Sequence, residues 1–387
     1  MKILQLGVGA VGEVIARTIA TEDAVTNVVL ADIDAQRVDE VAAKIGSKAV
    51  RLPLDVTDTA ALKRALADAD FVVNALVPRF NTGIMRACLE TGTCYLDMAG
   101  DNDMDDEIAL DEQFRQAGLT ALVFFGIDPG ASDVFARRLY DQFDTVESLT
   151  VLDGDNATVE GYEIAASFSP ATMIEEVAAS PPGFVDGVLT LRESMSAANS
   201  FEFDFPVPVG RLRVWNTDHE ESVLMPRYLA GKGLRNANFF IALDDRFMEL
   251  VRVVHTLGLD SRQPVEFGGG RFAPLDFIAS RLPRAVDLYG KMHGHVCVGA
   301  LAEGTIGGKP ARRYMYQVTA HDEAFAKMGV QGTGYQTGLC AACAVIMWAQ
   351  GHVKEKGVLA PERVDPQPYL DLMVKHGVPW QVVDLSA

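Results

Sequence analysis

The chain has 387 residues, of which 49% are hydrophobic and 22% are charged. This composition excludes collagen, disordered chains and small disulfide-stabilised proteins, and the length predicts two domains, because one hydrophobic core seldom extends past about 250–300 residues. A formal net charge of −19, with no run of Lys and Arg, argues against nucleic-acid and anionic-membrane partners.

The cysteines and the apolar segments indicate where the protein works. An odd number of scattered cysteines favours reduced thiols in a cytoplasm. They are Cys88, Cys94, Cys297, Cys340 and Cys343. The N-terminal apolar run is interrupted by glycines, which is typical of a strand and a turn rather than a signal peptide. Residues 339–349 form the longest apolar stretch, about half the length that spans a bilayer.

Short apolar runs alternate with segments of helical periodicity over the first third of the chain. The predicted strands are 3–6, 25–31, 49–54, 71–76, 94–96 and 120–125. The predicted helices are 10–20, 35–45, 59–67, 82–91 and 105–117. Strands that are apolar throughout are buried on both faces, so this order predicts a parallel, doubly wound sheet.

The pattern becomes less regular after residues 126–130. A helix is predicted from about residue 132 to residue 143, and residues 180–183 and 268–270 read as loops. Predicted strands at 148–152, 211–215, 295–301 and 313–319 favour a mixed or antiparallel sheet. Helical periodicity returns at 339–350, and polar, proline-punctuated sequence follows to the end of the chain.

A dinucleotide-binding pattern follows the first predicted strand. Gly7, Gly9 and Gly12, with Ala10 and Val11 between the last two, match G-x-G-x-x-G at the start of a predicted helix. The glycines allow a tight turn, close approach of the backbone to a pyrophosphate and close packing of helix on strand. We expect all five residues to contact the cofactor.

The residues after the second and third strands indicate which cofactor is bound. Asp32, followed by Ile33, lies 23 positions after Gly9, where a carboxylate accepts hydrogen bonds from ribose hydroxyls and repels a 2′-phosphate. This favours NAD, although Arg37 lies near enough to keep NADP as an alternative, and Asp32 could instead cap the next helix. Asp55 and Val56 are expected near the adenine, or else form an ordinary turn.

Further motifs occur in both halves of the chain. They lie at residues 70–76, 94–97, 126–130, 203–206, 218–220, 281–283, 321–323, 335–338 and 377–380. In this order they resemble the saccharopine dehydrogenase-like family, and the later ones resemble its carboxynorspermidine dehydrogenase branch. The resemblance implies an α/β fold in which a Rossmann domain, residues 1–129 and 334–387, encloses an inserted α+β substrate and dimerisation domain, residues 130–333. It also implies a homodimer.

The chain departs from the polyamine branch at two places. That branch typically carries a Ser-Arg pair, suited to the phosphate of NADPH, where this chain has Asp32. Residues 168–170 also differ from the Asn-rich segment of that branch. At Asp32 the chain resembles the NAD-using lysine 6-dehydrogenase and saccharopine-type members instead.

The family resemblance implies hydride transfer that interconverts an amine and an imine. Such a site should lie at the carboxyl ends of the parallel strands. Asn74, Ala75 and Leu76 follow the fourth strand and are expected to contact the cofactor, the alternative being a simple turn. Tyr95 and Asp97 alternate on the fifth strand, so both could face an amine, bind it as the ammonium and accept its proton. Alternatively, Asp97 caps a helix.

The junction at residues 128–132 offers a different kind of interaction. Asp128 and Gly130 precede a predicted helix, whose free N–H groups could hold a substrate carboxylate. We therefore expect Asp128 among the catalytic residues, and Gly130 and Ser132 in contact with substrate. The alternative is a plain hinge in which Ser132 is the helix N-cap.

His219 and Glu220 are the best acid–base pair in the second domain, because an adjacent carboxylate raises the basicity of an imidazole. Tyr335 and Thr337 are expected to contact substrate where the chain returns to the first domain. His321 is a weaker choice, because its acidic neighbours suit a solvated turn.

Two patterns resemble metal or redox sites. His293, His295 and Cys297 alternate, but strand neighbours two residues apart lie about 6–7 Å from each other, which is too far for one tetrahedral zinc site. Cys340 and Cys343 have C-x-x-C spacing within an apolar helical run and read as two small buried residues. No metal is expected.

Three hypotheses for function follow. The first is an NAD(H)-dependent oxidoreductase acting on the C–N bond of an amino acid or opine-like conjugate of the saccharopine or lysine type. The second is NADPH-dependent condensation of an aldehyde with a diamine, which forms a carboxylated polyamine such as carboxynorspermidine or carboxyspermidine. The third is a catalytically silent Rossmann protein that senses nucleotides.

Overall fold

The computed structural model describes residues 1–100 and 104–386. Its strands are β1 Lys2–Leu6, β2 Asn27–Asp32, β3 Ala49–Pro53, β4 Phe71–Asn74, β5 Cys94–Leu96, β6 Thr120–Leu122, β7 Thr145–Asp155, β8 Thr158–Val159, β9 Pro182–Val185, β10 Val188–Leu191, β11 Ser200–Phe205, β12 Gly210–Asn216, β13 Asn236–Ala242, β14 Val265–Phe267, β15 Gly270–Phe272, β16 Met292–His293, β17 His295–Ile306, β18 Lys309–Ala320, β19 Gly357–Leu359 and β20 Trp380–Asp384. Its helices are α1 Ala10–Ile19, α2 Ala35–Ile45, α3 Thr59–Ala67, α4 Asn81–Thr91, α5 Met104–Ile108, α6 Asp111–Gln116, α7 Ala131–Gln142, α8 Pro170–Ala178, α9 Glu221–Leu229, α10 Asp245–Thr256, α11 Pro274–Ala279, α12 His321–Met328, α13 Gly332–Ala349 and α14 Pro366–Lys375.

The chain divides into two compact units. The first comprises Met1–Arg138 and Tyr335–Trp380, and the second comprises Leu139–Gly334 and the residues from Gln381 onward. The expected boundary at 129/130 therefore falls nine residues before the observed one, inside the segment that leads through α7. The final residues lie in the second unit because β20 pairs with β18, and the N–H of Leu385 donates to the carbonyl of Arg312 at 2.8 Å.

A parallel sheet forms the centre of the first unit, with strand order β19-β6-β5-β4-β1-β2-β3. The order reverses at β1, which lies between β2 and β4, and ligands of doubly wound sheets bind at this switch point. This arrangement confirms the predicted Rossmann-type sheet. The seventh strand, β19, was not predicted, because three buried residues in a polar segment give no periodic signal.

The predicted helix over residues 105–117 forms as two helices, α5 and α6. The break places Asp111 at the start of α6, where its carboxylate accepts a hydrogen bond of 2.8 Å from the N–H of Val358 in β19. A contact between residues so distant in sequence cannot be read from local periodicity. Among the other helices of this sheet, α3 is capped by the side chain of Asp58.

The second unit is built on a mixed sheet of nine strands, in which β7 pairs parallel with β13 and antiparallel with β17. Two apolar cores cover its faces: Trp215 belongs to one with α8 and α10, and its neighbour Val214 belongs to the other. Strand β9 begins at Pro182, within the segment predicted as a loop. Along the described residues, no helix combines the length and apolar character needed to cross a bilayer.

Candidate functional site

The glycine-rich loop, residues 7–12, leads from β1 into α1. A Cβ atom on Gly12 would lie 2.1 Å from the carbonyl oxygen of Gly7, and Gly7 has a φ of +80°, so neither position tolerates a side chain. Gly9 is exposed, and a Cβ there would meet no described atom within 4 Å. Ala10 and Val11 begin the helix. The loop therefore offers an open helix N-terminus of the kind that binds a pyrophosphate.

Asp32 is tied to this loop rather than to the next helix. Its Oδ2 atom accepts a hydrogen bond of 2.9 Å from the N–H of Val8, and its Oδ1 atom accepts one of 3.0 Å from the N–H of Asp34. Asp34, not Asp32, caps α2. Ile33 is 75% exposed beside them. The carboxylate therefore lies at the end of β2 next to the glycine-rich loop, where the fingerprint predicts the ribose.

Arg37 points toward protein groups. Its Nε atom donates to the carbonyl of Val8 at 2.9 Å, and its two terminal nitrogens contact Glu13 at 2.5 Å and Glu40 at 3.2 Å. All three guanidinium nitrogens thus have acceptors within the first unit. The arginine that kept NADP as an alternative is held against the loop.

Asp55 and Val56 form a turn after β3. The exposed Asp55 carboxylate accepts hydrogen bonds from the N–H and the hydroxyl of Thr57, at 2.9 and 2.7 Å, and these bonds lower the pKa of Asp55. The N–H of Leu54 donates to the carbonyl of Asp32 at 2.9 Å, which keeps the ends of β2 and β3 together. The adenine contact remains a prediction.

Asn74 lies inside the protein at the end of β4. Its side-chain nitrogen donates to Asn81 at 2.8 Å and to the hydroxyl of Tyr95 at 2.9 Å, and its oxygen accepts from the N–H of Leu76. A Cβ atom added to Gly7, the first residue of the glycine-rich loop, would lie 2.7 Å from the carbonyl oxygen of Ala75. The backbone of Ala75 and the side chain of Leu76, rather than the amide of Asn74, therefore lie beside the loop.

Tyr95 and Asp97 are also buried, with 0% and 1% of their surface exposed. Asp97 accepts a hydrogen bond of 2.8 Å from the N–H of Phe124, and Asn81 donates to Glu107 at 3.0 Å. Burial raises the pKa of Tyr95 well above its usual range, and the charges of Asp97 and Glu107 add to this. We name these side chains the buried network; they are Asn74, Asn81, Tyr95, Asp97 and Glu107.

The helix end at residues 130–132 differs from the prediction. The N–H of Gly130 donates to the carboxylate of Asp133 at 2.9 Å, and the N–H of Ser132 donates to the carbonyl of Ile127 at 2.9 Å. Ser132 is fully buried and Asp128 is half-buried. Because protein acceptors already occupy these N–H groups, the carboxylate site expected at this helix end is not formed by them.

His219 lies in the second unit, between β12 and α9. Its ring stacks on Phe239 with 3.7 Å between centroids, its Nδ1 atom is hydrogen-bonded to Glu221, and the same atom lies 3.5 Å from Glu220. Glu221 is fully buried, whereas the side chains of His219 and Glu220 are 11% and 15% exposed. The two residues predicted as an acid–base pair therefore lie together and reach the surface.

Further acidic groups surround His219. Burial lowers the pKa of His219, but the charge and hydrogen bond of Glu221 outweigh it and raise this pKa well above its usual range. Burial, helped by the charges of Glu220, Asp218 and Glu221 and opposed by His219, raises the pKa of Glu176 to about 8. We name this group the acidic cluster; it comprises Glu176, Asp218, His219, Glu220 and Glu221. One imidazole faces four carboxyl groups, so added positive charge would stabilise the cluster.

The histidines considered for a zinc site bind different partners. His293 contacts Asp322 at 2.8 Å and Glu160 at 3.1 Å, and Cys297 lies 3.7 Å from the hydroxyl of Tyr314. Among the described residues, a group with ligand atoms within 4.8 Å of one another is instead formed by His219, Glu220 and Glu221.

His321, expected in a solvated turn, is 1% exposed. Its ring accepts a hydrogen bond of 3.0 Å from the N–H of Gly332 and contacts Asp155 at 3.2 Å. The acidic neighbours of His321 in sequence indicated a surface position, but the ring nitrogens serve to join α12, β7 and the start of α13.

The first turns of α13 carry Tyr335 and Thr337. Tyr335 is 5% exposed. The methyl group of Thr337 lies beside Gly126, 3.5 Å from the position that a Cβ atom on this glycine would take. Between them, Gln336 is fully buried, and within the described part of the chain its amide has no hydrogen-bonding partner. An unpaired buried amide is rare, so Gln336 is a polar group that sequence reasoning missed. Further along the helix, burial raises the pKa of Cys340 to about 12, which makes this thiol unreactive.

The strand order, the open glycine-rich loop and the carboxylate at the end of β2 define a Rossmann protein that binds a nicotinamide dinucleotide. The family model of the saccharopine dehydrogenase NADP binding domain matches residues 3–122, and that of the saccharopine dehydrogenase C-terminal domain matches residues 126–378. The chain therefore belongs to the saccharopine dehydrogenase family, as its motifs predicted.

Individual relatives extend over almost the whole chain. It is 30% identical to carboxyaminopropylagmatine dehydrogenase of Synechocystis sp., over 99% of this chain and 97% of the relative. It is 27% identical to carboxynorspermidine synthase of Vibrio cholerae, over 100% and 98% respectively. Among solved structures, apo saccharopine dehydrogenase (L-Glu forming) from Saccharomyces cerevisiae has a TM-score of 0.77, 18% identity and complete coverage of both chains, which confirms the fold.

Family membership decides between the general hypotheses. The protein is an oxidoreductase that uses a nicotinamide cofactor and acts at a C–N bond, interconverting an amine and an imine. The hypothesis of a catalytically silent nucleotide sensor is wrong.

Proposed function

We propose that the protein is an NAD(H)-dependent dehydrogenase that forms or oxidises the secondary amine of a carboxylated polyamine. The observation that carries this proposal is the acidic cluster, in which four carboxyl groups surround one imidazole. Such a surplus of negative charge favours a cationic ligand, such as an ammonium or guanidinium group. Full-length relatives named for carboxyaminopropylagmatine and carboxynorspermidine, which are carboxylated polyamines, support the same substrate class.

The preference for NAD(H) rests on two contacts of the first unit. Asp32 carries a negative charge beside the glycine-rich loop, where it would repel a 2′-phosphate. Arg37, which could neutralise that phosphate, is bound to Glu13, Glu40 and the carbonyl of Val8. The matched family model is named for NADP, but these residues favour the cofactor without the phosphate.

The residues of each unit then have separate tasks. The glycine-rich loop and Asp32 would hold the dinucleotide, which supplies or accepts a hydride at the carbon of the C–N bond. The acidic cluster would bind the polyamine end of the substrate, and His219 with Glu220 would move a proton to or from its nitrogen. The buried network fixes the backbone of residues 74–76 beside the loop, so we assign Tyr95 and Asp97 a positioning role. The catalytic role of Asp128 and the contacts of Tyr335 and Thr337 with substrate remain predictions.

A comparison of substrates tests this proposal. The purified protein is mixed with agmatine or a diamine, an aldehyde that carries a carboxylate, and either NADH or NADPH, and the loss of reduced cofactor is followed by absorbance. We expect turnover that needs both amine and aldehyde and is faster with NADH. Turnover with saccharopine or lysine and NAD⁺, but with no polyamine, would replace the proposed substrate by that of the first hypothesis.

Two expectations about the state of the protein accompany the proposal. We propose that it works in a reducing cytoplasm, which is supported by five buried, free cysteines. We further propose a homodimer, which the family resemblance implies. Light scattering of the purified protein at several concentrations would test the second expectation, and a monomeric mass at all of them would contradict it.

A further inference from the structure

Glu13 is an acidic residue on the buried side of α1, in the first turn of this helix and directly after the glycine-rich loop. Only 2% of its surface is exposed, yet it is not needed to cap the helix. Its carboxylate oxygens form ion pairs with side-chain nitrogens of Arg37 at 2.5 Å, Lys44 at 2.7 Å and Arg17 at 2.9 Å. Three cations from two helices therefore converge on one buried carboxylate.

The ionised form of Glu13 is strongly favoured in this position. Burial alone would raise the pKa of Glu13, but hydrogen bonds from Lys44 and Arg37, with their charges, outweigh burial and lower it. The same contacts raise the pKa of Arg37 against the effect of its own burial. The Glu13–Arg37 pair is therefore a fully charged, hydrogen-bonded contact, the strongest kind of side-chain hydrogen bond.

This contact decides where the Arg37 guanidinium points. One terminal nitrogen of Arg37 donates to Glu13, and its Nε atom donates to the carbonyl of Val8. The N–H of Val8 in turn donates to Asp32. Side chains thus bind both the N–H and the carbonyl of Val8, and Arg37 lies against the loop backbone. An arginine close to this position is the group that accommodates a 2′-phosphate in NADP-binding relatives of this fold.

We propose that Glu13 is a specificity-determining residue, which excludes NADP(H) by holding Arg37 away from the position of a 2′-phosphate. The inference rests on the proposed preference for NAD(H) and extends it to a residue outside the fingerprint's acidic position. In this scheme Asp32 repels the 2′-phosphate, and Glu13 keeps Arg37 from binding it. Removing only the repulsion would leave the phosphate without its arginine.

The test measures cofactor binding by calorimetry, with NADPH and NADH and with the fragments adenosine 2′,5′-bisphosphate and AMP. The variants are Asp32→Ser, Asp32→Ser/Glu13→Gln and the latter with Arg37→Ala. We expect Asp32→Ser to weaken the preference for NADH. Adding Glu13→Gln should raise the NADPH-to-NADH affinity ratio about tenfold further, since a charge-assisted contact with phosphate becomes available. Arg37→Ala should then remove that gain.

Glu40 provides a matched control, because it is a second carboxylate on Arg37 but is 48% exposed. In the Asp32→Ser background, Glu40→Gln should change the ratio less than about twofold, since an exposed ion pair contributes little. If Glu13→Gln lowers the melting temperature too far for binding studies, Glu13→Asp, which withdraws the carboxylate by one methylene, should shift the ratio in the same direction by a smaller factor.

The outcomes separate this inference from the proposed function. A ratio that stays constant between Asp32→Ser and the double variant, with both folded, would overturn the role of Glu13, and so would a gain that survives Arg37→Ala. A wild-type protein that prefers NADPH would overturn the proposed cofactor instead. The three variants that carry Asp32→Ser measure the Arg37-dependent gain by binding alone, independently of any substrate.

Discussion

In the first unit, one buried carboxylate, that of Glu13, is held by three cations, whereas in the second unit one imidazole, that of His219, faces four carboxyl groups. The pKa of Glu13 is lowered, and that of Glu176 is raised to about 8. Charges that are compensated by the protein hold a scaffold in place. A cluster of perturbed carboxyl groups around one imidazole is instead a candidate for binding a substrate.

The buried network follows the pattern of the first unit. Its two carboxyl groups each accept a hydrogen bond on one oxygen, Asp97 from the N–H of Phe124 and Glu107 from the amide of Asn81. Under the proposed function, the first unit holds the cofactor and the acidic cluster of the second unit binds the substrate. Variants that remove one charge from each region test this contrast.

The largest effect is expected from the second unit. Replacing His219 by Ala should lower kcat by about 10²–10⁴-fold, because a group that moves a proton in the transition state is lost. Affinity for NADH, measured by fluorescence titration, should stay unchanged. His255→Ala is the matched control, since His255 pairs with Asp260 and is 48% exposed. A loss of less than about threefold in His219→Ala would refute the proton-transfer role.

Opposite changes in stability are expected from Glu13, which is buried, and Glu176, which is half-buried. Glu13→Gln should lower the free energy of unfolding by about 1–3 kcal/mol, because three cations lose a charged acceptor. Glu176→Gln should raise it by about 1 kcal/mol at pH 9, since the wild-type protein must ionise this carboxyl group against its neighbours. Denaturation by urea measures both. Equal destabilisation by the two variants would remove the contrast between the regions.

The sequence predicted the architecture wherever a signal is local. Continuous apolar strands between helices predicted the parallel sheet, and the spacing from Gly9 to Asp32 located the cofactor edge. Strand β19 was missed because it is short, and β20 was missed because only pairing with β18 defines it. Neither strand has a pattern of its own that distinguishes it from a loop.

Site residues could be predicted when a motif names them, and not when their role depends on distant partners. Glu13 accepts a hydrogen bond from Lys44, 31 residues away, and the charge of His219, 43 residues further along the chain, affects the pKa of Glu176. A charged residue among the buried positions of α1 was the available signal for Glu13. Conversely, alternation on β5 placed Tyr95 and Asp97 together but did not show that the protein surrounds them.

A smaller effect distinguishes positioning from catalysis in the first unit. Tyr95→Phe removes a hydroxyl that accepts a hydrogen bond from Asn74 at 2.9 Å. We expect a loss of about 1 kcal/mol in the free energy of unfolding and a change in kcat of less than about threefold. The pH profile of kcat should keep its shape. A fall in kcat of a hundredfold, with a changed pH profile, would return Tyr95 to the proton-transfer step.

The smallest effect concerns the pH at which each region loses stability. Glu13 has a lowered pKa in the folded protein, so its stabilisation is present above its usual pKa of 4.5 and is lost as pH falls. Glu176 has a raised pKa of about 8, so the fold is favoured below 4.5 and loses this contribution as pH rises through 8. His219 acts in the same direction as Glu176, because its pKa is also raised.

Hydrogen exchange resolves these opposite trends within one molecule. Protection factors, corrected for intrinsic exchange, should fall around Glu13 below pH 4.5, and around residues 217–222 as pH rises from 4.5 through 8, which is the alkaline loss. For the second region we expect about 0.5 kcal/mol per pH unit, less than the ideal value of about 1.4 because Glu176 is only half-buried. A polyamine should suppress the alkaline loss at residues 217–222, because its positive charge replaces the proton that the acidic cluster gives up. If the alkaline loss persists at saturating polyamine, the cluster is not where the cation binds.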